Sequence, residues 1–430
     1  MSNEAKNNQD LLAVNKICAG IDVHRDSISV TIISETPSGE INTGFREFST
    51  FTPNLLEMRD WLLSQGCTIA GMESTGKYWF TVYFILEDVM DVNVYNAKHL
   101  KSIPGKKTDR RDSAWIANVV RHNMLVPSYI PDKQIRDARL LSRTRKSLVQ
   151  HRGSVRQRVL GLLDSAGIKL SSVVSDVFGT SGRNLLNLLK SGEPITAKRV
   201  SGIVFGPLRD KVDKLLIAMQ GYLHETHIYL IEMEMGIEAM LTSRINEIET
   251  RLMAFLIDTD SKREAHEKLI LIPGFSERSA MLLLSEVGFD LKTFPSLKNF
   301  CSWAGLAPGK KESAGKNLSG KIQVRQRYLR SLFIEVAFAA TRCKDTFMRA
   351  KYYALKSRIG GKKAIVAIAH LLAEAAYRAI KERLDYRELT SKYVSLSQMN
   401  KDLRHLAKIT DRLGKDAVMA IMKGQEEIIY

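Results

Sequence analysis

The sequence predicts an α/β domain with a mixed sheet at the N-terminus, then a long helical coiled-coil arm, then a mainly α-helical C-terminal domain. Three observations predict this order. Short apolar segments of strand type fill the first hundred residues, basic sequence with helical periodicity begins near residue 132, and helical segments punctuated by glycine and proline begin near residue 262. A chain of 430 residues is long enough for two or three domains with separate cores.

The N-terminal domain, residues 16–131, alternates predicted strands with predicted helices. Residues 16–34 predict a hairpin, because an apolar run, a polar turn and the alternation in "SISVTII" follow one another. A third strand at 41–50, a helix that opens on Thr-Pro, the buried strand "TIAGMES", a second helix and the strand "DVNVYN" complete it. Strands interleaved with helices are typical of a mixed sheet covered by helices. We assign residues 1–15 to a disordered N-terminus.

The helical arm is predicted over residues 132–260. Between Arg136 and Arg158 there are eight Lys or Arg residues and one acid, at spacings that suit one long helix. Residues 209–258 are predicted to be almost uninterrupted helix, since apolar side chains recur every three or four positions. Such an arm needs an apolar partner, which is either its own return helix or another subunit.

The C-terminal domain is predicted over residues 261–385, with an extension of unknown role at 386–430. "LILIPGFSERSAMLLLSEVG" predicts two helices joined by a Pro-Gly turn, an arrangement whose backbone amides can contact a DNA backbone. The segment "GKKESAGKNLSGKIQVRQRYLR" predicts a Gly/Ser/Lys-rich loop that runs into a basic helix.

The net charge favours a polyanionic partner. Lys and Arg number 64 against 47 Asp and Glu, which gives +17 and a pI near 9.6. The four cysteines are far apart and show neither zinc-site nor disulfide spacing, as in a reducing compartment. The first residues lack an apolar signal core, and no apolar run approaches the ~20 residues that span a bilayer. These features predict a cytoplasmic, nucleoid-associated protein with no membrane contact.

Four acids are placed as the ligands of a nuclease-type metal site would be. Asp22 ends the first strand, Glu73 ends the central strand, and Asp109 and Asp112 share one face of the following helix because they are three residues apart. Mg²⁺ prefers a few carboxylate oxygens together with water and phosphate. Two such ions about 4 Å apart can stabilise the attacking and leaving oxygens of phosphoryl transfer.

Each acid also has a structural interpretation. Asp22 would start the hairpin turn, and Glu73 would cap the helix after it. Asp109 and Asp112 would pair with the arginines between them. The combination of the four acids, in this chain order and at these strand ends, favours the metal site.

The segments "GIDVHRDSISV", "MESTGKYW" and "KTDRRDSAWIA" resemble the Asp-Glu-Asp-Asp (DEDD) signature of the insertion-sequence transposases that include the Piv invertase. Downstream, "LIPGFSERSAMLLLSEVG", "FCSWAGLAP" and "GGKKAIVAIAHLL" resemble the C-terminal transposase domain of that family. The resemblance covers most of residues 16–385. It implies an N-terminal domain of the ribonuclease-H type, similar to the RuvC resolvase, and catalysis with Mg²⁺ or, alternatively, Mn²⁺.

The resemblance also implies a serine nucleophile that attacks a DNA phosphate and forms a covalent phosphoserine link. The family motif places this serine shortly after a "GLxP" turn, usually with glycine directly following. Ser313 has the better position after the turn, whereas Ser319 has the following glycine. We favour Ser313 and keep Ser319 as the alternative, and both serines also suit a flexible loop without a bond-making role.

Cations near these motifs are predicted to contact phosphates. The predicted set is Lys107, Arg110, Arg111, Arg143, Arg145, Lys146, Arg152, Arg156, Lys310, Lys311, Lys316, Lys321, Arg325, Arg327 and Arg330. The resemblance further implies donor and target DNA as partners and a non-coding guide RNA (a bridge RNA). It also implies a homo-oligomer, dimer or tetramer, whose subunits meet through the arm and share an active site.

Two other functions fit part of the same pattern. A RuvC-like structure-selective endonuclease would use the four acids for hydrolysis without a covalent serine. A nucleic-acid-binding protein without activity would need neither the acids nor the serines. The presence of all four acids and both serines favours the transposase.

Overall fold

The computed structural model describes residues 13–74, 76–100, 109–307, 311–313, 316–319 and 327–386, together with residues 407, 410–412 and 414. The chain divides into two compact units, residues 1–130 and 131–430. In the described ranges no helix has the length and apolar character needed to cross a membrane.

The first unit is built on a five-stranded mixed sheet with strand order β3-β2-β1-β4-β5. Its strands are β1 (Ile17–Val23), β2 (Ser27–Glu35), β3 (Ile41–Ser49), β4 (Ile69–Glu73) and β5 (Asp91–Tyr95). The first three strands form an antiparallel meander, whereas β1, β4 and β5 run parallel. The predicted hairpin, third strand and mixed sheet are therefore confirmed.

Helices of the first unit are α1 (Thr52–Ser64), α2 (Trp79–Leu86), α3 (Ala97–Leu100) and α4 (Asp109–Arg121). Two apolar cores lie on the sheet. The larger core includes Met58 of α1 and Val82 of α2, and a second core includes Ile116 and Val120 of α4. The parallel strands at the centre of the sheet carry buried apolar runs, as expected where helices cover both faces.

The second unit begins with two long helices, α5 (Lys133–Ser165) and α9 (Glu225–Leu256), which pack against each other. Asp132 caps α5 by accepting a hydrogen bond from the Ile135 amide at 2.9 Å. Shorter elements with their own core lie between the long helices. They are a 3₁₀ turn (Leu170–Ser172), α6 (Thr180–Lys190), α7 (Ala197–Ile203), a second 3₁₀ turn (Gly206–Lys211) and α8 (Val212–Ala218).

The prediction of nearly continuous helix over 209–258 is wrong at residues 219–224, where α8 and α9 are separate. Gly221 approaches the end of α5 so closely that a Cβ there would lie 2.3 Å from the Ala166 carbonyl oxygen. Two backbone hydrogen bonds, Tyr222 to Ala166 and Lys169 to Ala218, both 2.7 Å, hold the break. These contacts outweigh the local helical periodicity.

The C-terminal part of the second unit is a helical bundle with one continuous core. Its helices are α10 (Asp260–Ile270), α11 (Glu277–Val287), α12 (Leu297–Trp303), α13 (Arg327–Ala340), α14 (Phe347–Ile359) and α15 (Gly361–Lys381). Ser276 caps α11 by a reciprocal capping box with Ser279. The predicted Gly/Ser/Lys loop contains a short antiparallel hairpin, β6 (Lys311–Ser313) with β7 (Lys316–Ser319).

Candidate active site and nucleic-acid interface

Two neighbouring parallel strands carry the same four-residue pattern, an alanine, a glycine, an apolar residue and an acid. The pattern is "AGID" in β1 and "AGME" in β4. The strands pair in register, with facing pairs Ala19–Ala70, Gly20–Gly71 and Ile21–Met72. Asp22 and Glu73, the next residues along each strand, therefore occupy adjacent positions at the carboxyl ends of the two strands, on one face of the sheet.

The glycines of this pattern allow α4 to lie directly on the sheet. A Cβ on Gly20 would lie 2.0 Å from the Ser113 carbonyl oxygen and 2.2 Å from the Ala117 amide nitrogen. A Cβ on Gly71 would lie 2.3 Å from a methyl carbon of Val120. Side chains alternate along a strand, so the face that receives α4 is the face that carries Asp22 and Glu73.

The contacts of α4 also fix its direction. Ser113 and Ala117 lie over Gly20, whereas the residues at the far end of the helix lie near the start of β1. The Asn15 amide donates to the Val120 carbonyl at 2.7 Å, and the Cys18 thiol donates to the Ala117 carbonyl at 3.5 Å. The helix therefore runs antiparallel to β1, and its N-terminus extends toward the strand end that carries Asp22.

The rise per residue of a helix and of a strand indicates where the first turn of α4 lies relative to Asp22 and Glu73. Four residues back from Ser113, just over one helical turn, is Asp109, a distance of about 6 Å along the axis. Two residues on from Gly20 is Asp22, about 6.6 Å along the strand. The same step relates Ile116 to Asp112 and Gly71 to Glu73. Both acids of the first turn of α4 therefore lie toward the carboxyl ends of β1 and β4, where Asp22 and Glu73 stand, although the side chain of Asp109 lies outside the described residues.

Polar contacts hold α4 in this position. Thr31 and Ser113 share a buried hydrogen bond of 2.8 Å between their hydroxyl groups. At the other end of the helix, Arg121 donates to Glu35 at 2.7 Å, and both side chains are largely buried. A helix anchored at both ends keeps its first turn at a fixed distance from the strand ends.

Asp22 has a histidine neighbour that the sequence interpretation missed. His24 Nε2 lies 3.1 Å from Asp22 Oδ2, and the Asp22 side chain is 13% exposed while that of His24 is 49% exposed. His24 stands in the tight turn of the β1–β2 hairpin, where its amide donates to Ser27 at 3.0 Å. The sequence signal is the "DVH" spacing, which puts a histidine directly after the strand end that carries Asp22.

The acids are suitable donors for a divalent cation, because Mg²⁺ is commonly held by one or two carboxylates together with water and substrate phosphates. Asp22 and Glu73 supply such a carboxylate pair on adjacent strands. Within the described ranges, no three His, Cys, Asp or Glu side chains are grouped closely enough to form a complete protein cage. Asp109 is not among the side chains to which that finding applies. The four-acid metal site remains a prediction.

The two candidate serines lie on the two strands of the β6–β7 hairpin. Ser313 pairs with Lys316 at one end of the ladder, and Ser319 pairs with Lys311 at the other. Each serine therefore has a lysine as its cross-strand neighbour. The side chains of these strands lie outside the described residues, so the choice between Ser313 and Ser319 remains a prediction.

The predicted cations of α5 contact acidic and polar groups of the same unit. Arg143 donates two hydrogen bonds of 3.0 Å to Glu286, and Arg156 donates to Glu238 at 2.7 Å. Arg145 donates to Glu249 at 2.6 Å, Lys146 to Ser331, Arg152 to Thr242 at 3.2 Å, and Arg330 of α13 to the Gly305 carbonyl at 2.9 Å. To contact a phosphate, these cations would have to keep their internal hydrogen-bond partners and bind the phosphate as well, or exchange those partners for it.

The remaining predicted cations cannot be located by their side chains. Those that lie outside the described side chains are Lys107, Arg110, Arg111, Lys310, Lys311, Lys316, Lys321, Arg325 and Arg327. Their roles in binding nucleic acid remain predictions.

Comparisons with known proteins identify the family of the chain. A family model described as a transposase of the DEDD type matches residues 19–168, which include all four acids. A second model, described as the transposase IS116/IS110/IS902 family, matches residues 266–353, which include both serines. A probable family 20 transposase from Pseudomonas aeruginosa is 22% identical over 338 residues, 77% of this chain and 89% of the relative.

The sheet edge and the two matches define the class of protein as a transposase, an enzyme that processes DNA. Together the matched segments cover more than half of the chain. The protein belongs to the IS110 family of insertion-sequence transposases.

Proposed function

We propose that the protein moves an insertion sequence by cutting and exchanging DNA strands through a covalent phosphoserine intermediate. The single observation that carries the proposal is the registered pair Asp22 and Glu73 at the strand ends, with the first turn of α4 directed toward it. This is the arrangement that a phosphoryl-transfer site of the RuvC type requires. Family membership supplies the DNA substrate.

The chemistry begins with the serine of the β6–β7 hairpin, Ser313 by preference or Ser319. Its Oγ gives up the hydroxyl proton as it attacks a backbone phosphorus, the bond from phosphorus to the leaving DNA oxygen breaks, and that oxygen takes up a proton. A DNA hydroxyl then attacks the phosphoserine phosphorus, and the serine oxygen leaves. Each phosphodiester lost is replaced by another phosphate ester, so rejoining needs no ATP.

Asp22, Glu73 and Asp112, with Asp109, would hold Mg²⁺ or Mn²⁺ at the carboxyl ends of β1 and β4. When bound, the cation supplies positive charge that stabilises the charge developing on the phosphate oxygens. The protein positions the carboxylates by the rigid packing of α4 on the sheet. Positioning of this type is a large part of catalysis by phosphoryl-transfer enzymes.

The partners complete the proposal. A guide RNA would pair with donor and target DNA, and a second copy of the chain would meet the first through the α5–α9 arm. One subunit's acids would then act with the serine of another. Sequencing the RNA that co-purifies with the protein tests the guide, and recovery of only random cellular RNA would contradict it.

Trapping of a protein–DNA adduct tests the central claim. A plasmid that carries the encoding element with its flanking DNA is incubated with the protein, the RNA that co-purifies with it and Mg²⁺, and stopped in denaturing detergent. We expect a covalent adduct that maps to Ser313 or Ser319 by mass spectrometry. Alanine at the nucleophile abolishes the adduct, whereas alanine at the other serine preserves it. Cleavage without an adduct, undiminished in both alanine variants, would instead identify a hydrolytic nuclease.

A further inference from the structure

A cavity of about 220 Å³ lies in the second unit among α5, α11 and α13. Its wall combines apolar side chains, among them Leu282 and Val149, with the hydrogen-bonding groups of Gln150 and Ser331. Tyr328, the second residue of α13, also lines the cavity, and its side chain is about one-third exposed. All of its lining residues belong to the second unit, and none of them has a role in the chemistry proposed above.

Tyr328 carries two cations at its ring. The Arg143 guanidinium carbon and the Lys146 ammonium nitrogen each lie 4.8 Å from the ring centroid. Glu286 holds Arg143 by two hydrogen bonds, and Ser331 accepts a hydrogen bond from Lys146. An aromatic ring beside fixed cations is the combination on which proteins hold a nucleic-acid base and its phosphate.

The interior of the cavity favours a base over a free anion. Two carboxylates, Glu286 and Glu335, line it together with two cations, Arg145 and Lys146, so its formal charges balance and do not favour a free phosphate inside. A nucleobase is planar and uncharged, and it carries donors and acceptors along its edge. The Gln150 amide can bond to both, and the exposed carboxylate of Glu335 can accept from an amino group. The Ser331 hydroxyl already donates to the Tyr328 carbonyl and accepts from Lys146. The phosphate of the same nucleotide would remain at the mouth near Lys146.

The cavity is also close in the chain to the serine hairpin. Strand β7 ends at Ser319, and α13 begins at Arg327, one residue before Tyr328. Tyr328 is nine residues beyond Ser319, so a strand that reaches the hairpin could also supply a nucleotide to Tyr328. Extrusion of a single nucleotide from its stack costs a few kcal/mol, which a stacking pocket can offset.

We propose that this cavity accepts one unpaired nucleotide of the nucleic acid held at the serine hairpin, with its base against Tyr328. The proposal rests on the function proposed above, since it requires a nucleic acid at that hairpin. The nucleotide comes from the substrate DNA strand or from the guide RNA, and both present the same base and phosphate.

Photochemical cross-linking of the full-length protein tests the proposal. Short mixed-sequence single strands of DNA or of RNA carry one 5-iodouracil, and the linked residue is identified by mass spectrometry. We expect the cross-link on Tyr328, and the arm with the higher yield identifies the source of the nucleotide. A cross-link map of the unaltered protein that omits Tyr328 in both arms would overturn the proposal.

Matched variants provide a second test. Tyr328→Leu is expected to weaken single-strand binding at fixed salt by about 5- to 150-fold, the loss equivalent to one stacked base. Tyr328→Phe should retain most of the affinity. Tyr353→Leu is the control, because Tyr353 is an exposed tyrosine of α14 with Arg349 and Lys356 near its ring. Equal affinity of Tyr328→Leu and Tyr353→Leu would overturn the proposal.

The two proposals fail in different ways. Adduct formation at a hairpin serine without cross-linking at Tyr328 refutes the nucleotide pocket alone. Cross-linking at Tyr328 in a protein that cuts DNA without an adduct refutes the phosphoserine intermediate and leaves the pocket in place.

Discussion

The contact between α4 and the sheet gives a sharp prediction for Gly20→Ala. The added methyl group would lie 2.0 Å from the Ser113 carbonyl oxygen, where real Cβ contacts are essentially never under 3.0 Å. The nearest atoms belong to the backbone of α4, so no side-chain rotation relieves the overlap. The helix must move away from β1 by at least about 1 Å.

The cost has two parts. Overpacking of a close-packed interface typically costs about 1–3 kcal/mol. Displacement of α4 also weakens the 2.8 Å hydrogen bond between Thr31 and Ser113, worth about 1 kcal/mol. Together they destabilise the packed position of α4 by about 2–4 kcal/mol, which is roughly a 30- to 1,000-fold change in the opening equilibrium.

Hydrogen exchange measured by mass spectrometry reports this equilibrium for α4 separately from the rest of the chain. We expect the amides of α4 to lose protection by that factor in Gly20→Ala, and DNA cleavage to fall because Asp112 moves away from Glu73. Gly44→Ala is the matched control, since the nearest atom to its added methyl is a ring carbon of Trp61 at 3.7 Å. Equal α4 protection in the two variants would refute the close approach.

Three further predictions follow from other parts of the molecule. Mg²⁺ should raise the melting temperature of the wild type but not of Asp22→Asn. Asp26→Asn is the control and should behave as the wild type, because the Asp26 carboxylate is exposed in the hairpin turn. An equal rise in all three proteins would place the metal elsewhere. Burial alone would raise the pKa of Glu238, but hydrogen bonds from two arginines lower this pKa below its usual value of 4.5. The stability of the arm should therefore be retained above pH 4.5 and decline as the pH falls below that value. Glu238→Gln should remove this acid dependence in a denaturant titration monitored by hydrogen exchange, whereas Glu247→Gln, in an exposed pair, should preserve it. Cys343 should react with a thiol reagent at pH 8 in the folded protein, whereas the three buried cysteines should react only on unfolding. Peptide mass spectrometry measures the rate at each cysteine. Modification of all four cysteines at one rate would contradict this prediction.

The strands of the sheet were predictable because each is indicated by the residues within that strand and the turn beside it. Alternation in β2 and the apolar runs of β1 and β4 indicate strands, and a polar turn two or three residues long leaves a hairpin as the simple connection. The shared pattern of "AGID" and "AGME" also matches the register in which β1 and β4 pair, because the two alanines, the two glycines and the two apolar residues face each other. In both strands the glycine lies on the face that another element approaches closely. This signal was present in the sequence but needed the structure to be recognised.

The direction of α4 was not predictable in the same way. The sequence places Asp109 and Asp112 on one helical face but does not say which strand that face meets. Long-range contacts orient the helix toward Asp22: those of Ser113 and Ala117 with Gly20, and those of Asn15 and Cys18 with the far end of the helix. The break before α9 has the same cause, because Gly221 meets a residue more than fifty positions earlier in the chain. Non-local packing overrides propensity at both places.

The arm shows why a count of charges along one helix overstates its positive field. The acids that balance α5 come from α9 and α11, and the fully buried Glu238 side chain alone accepts from Arg156 and from Arg183 of α6. Burial would lower the pKa of Arg143, but hydrogen bonds and charge from Glu286 outweigh it and raise the pKa.

A phosphate at this surface would therefore compete with carboxylates that are already desolvated, whereas loss of a partner would leave a charge buried and unpaired. It follows that substitutions of the α5 arginines act first on the packing of the arm. We therefore expect nucleic acid to bind mainly at surfaces whose Lys and Arg side chains are not paired with internal carboxylates. At the ring of Tyr328, Lys146 donates to a neutral hydroxyl, whereas Arg143 beside it is held by Glu286.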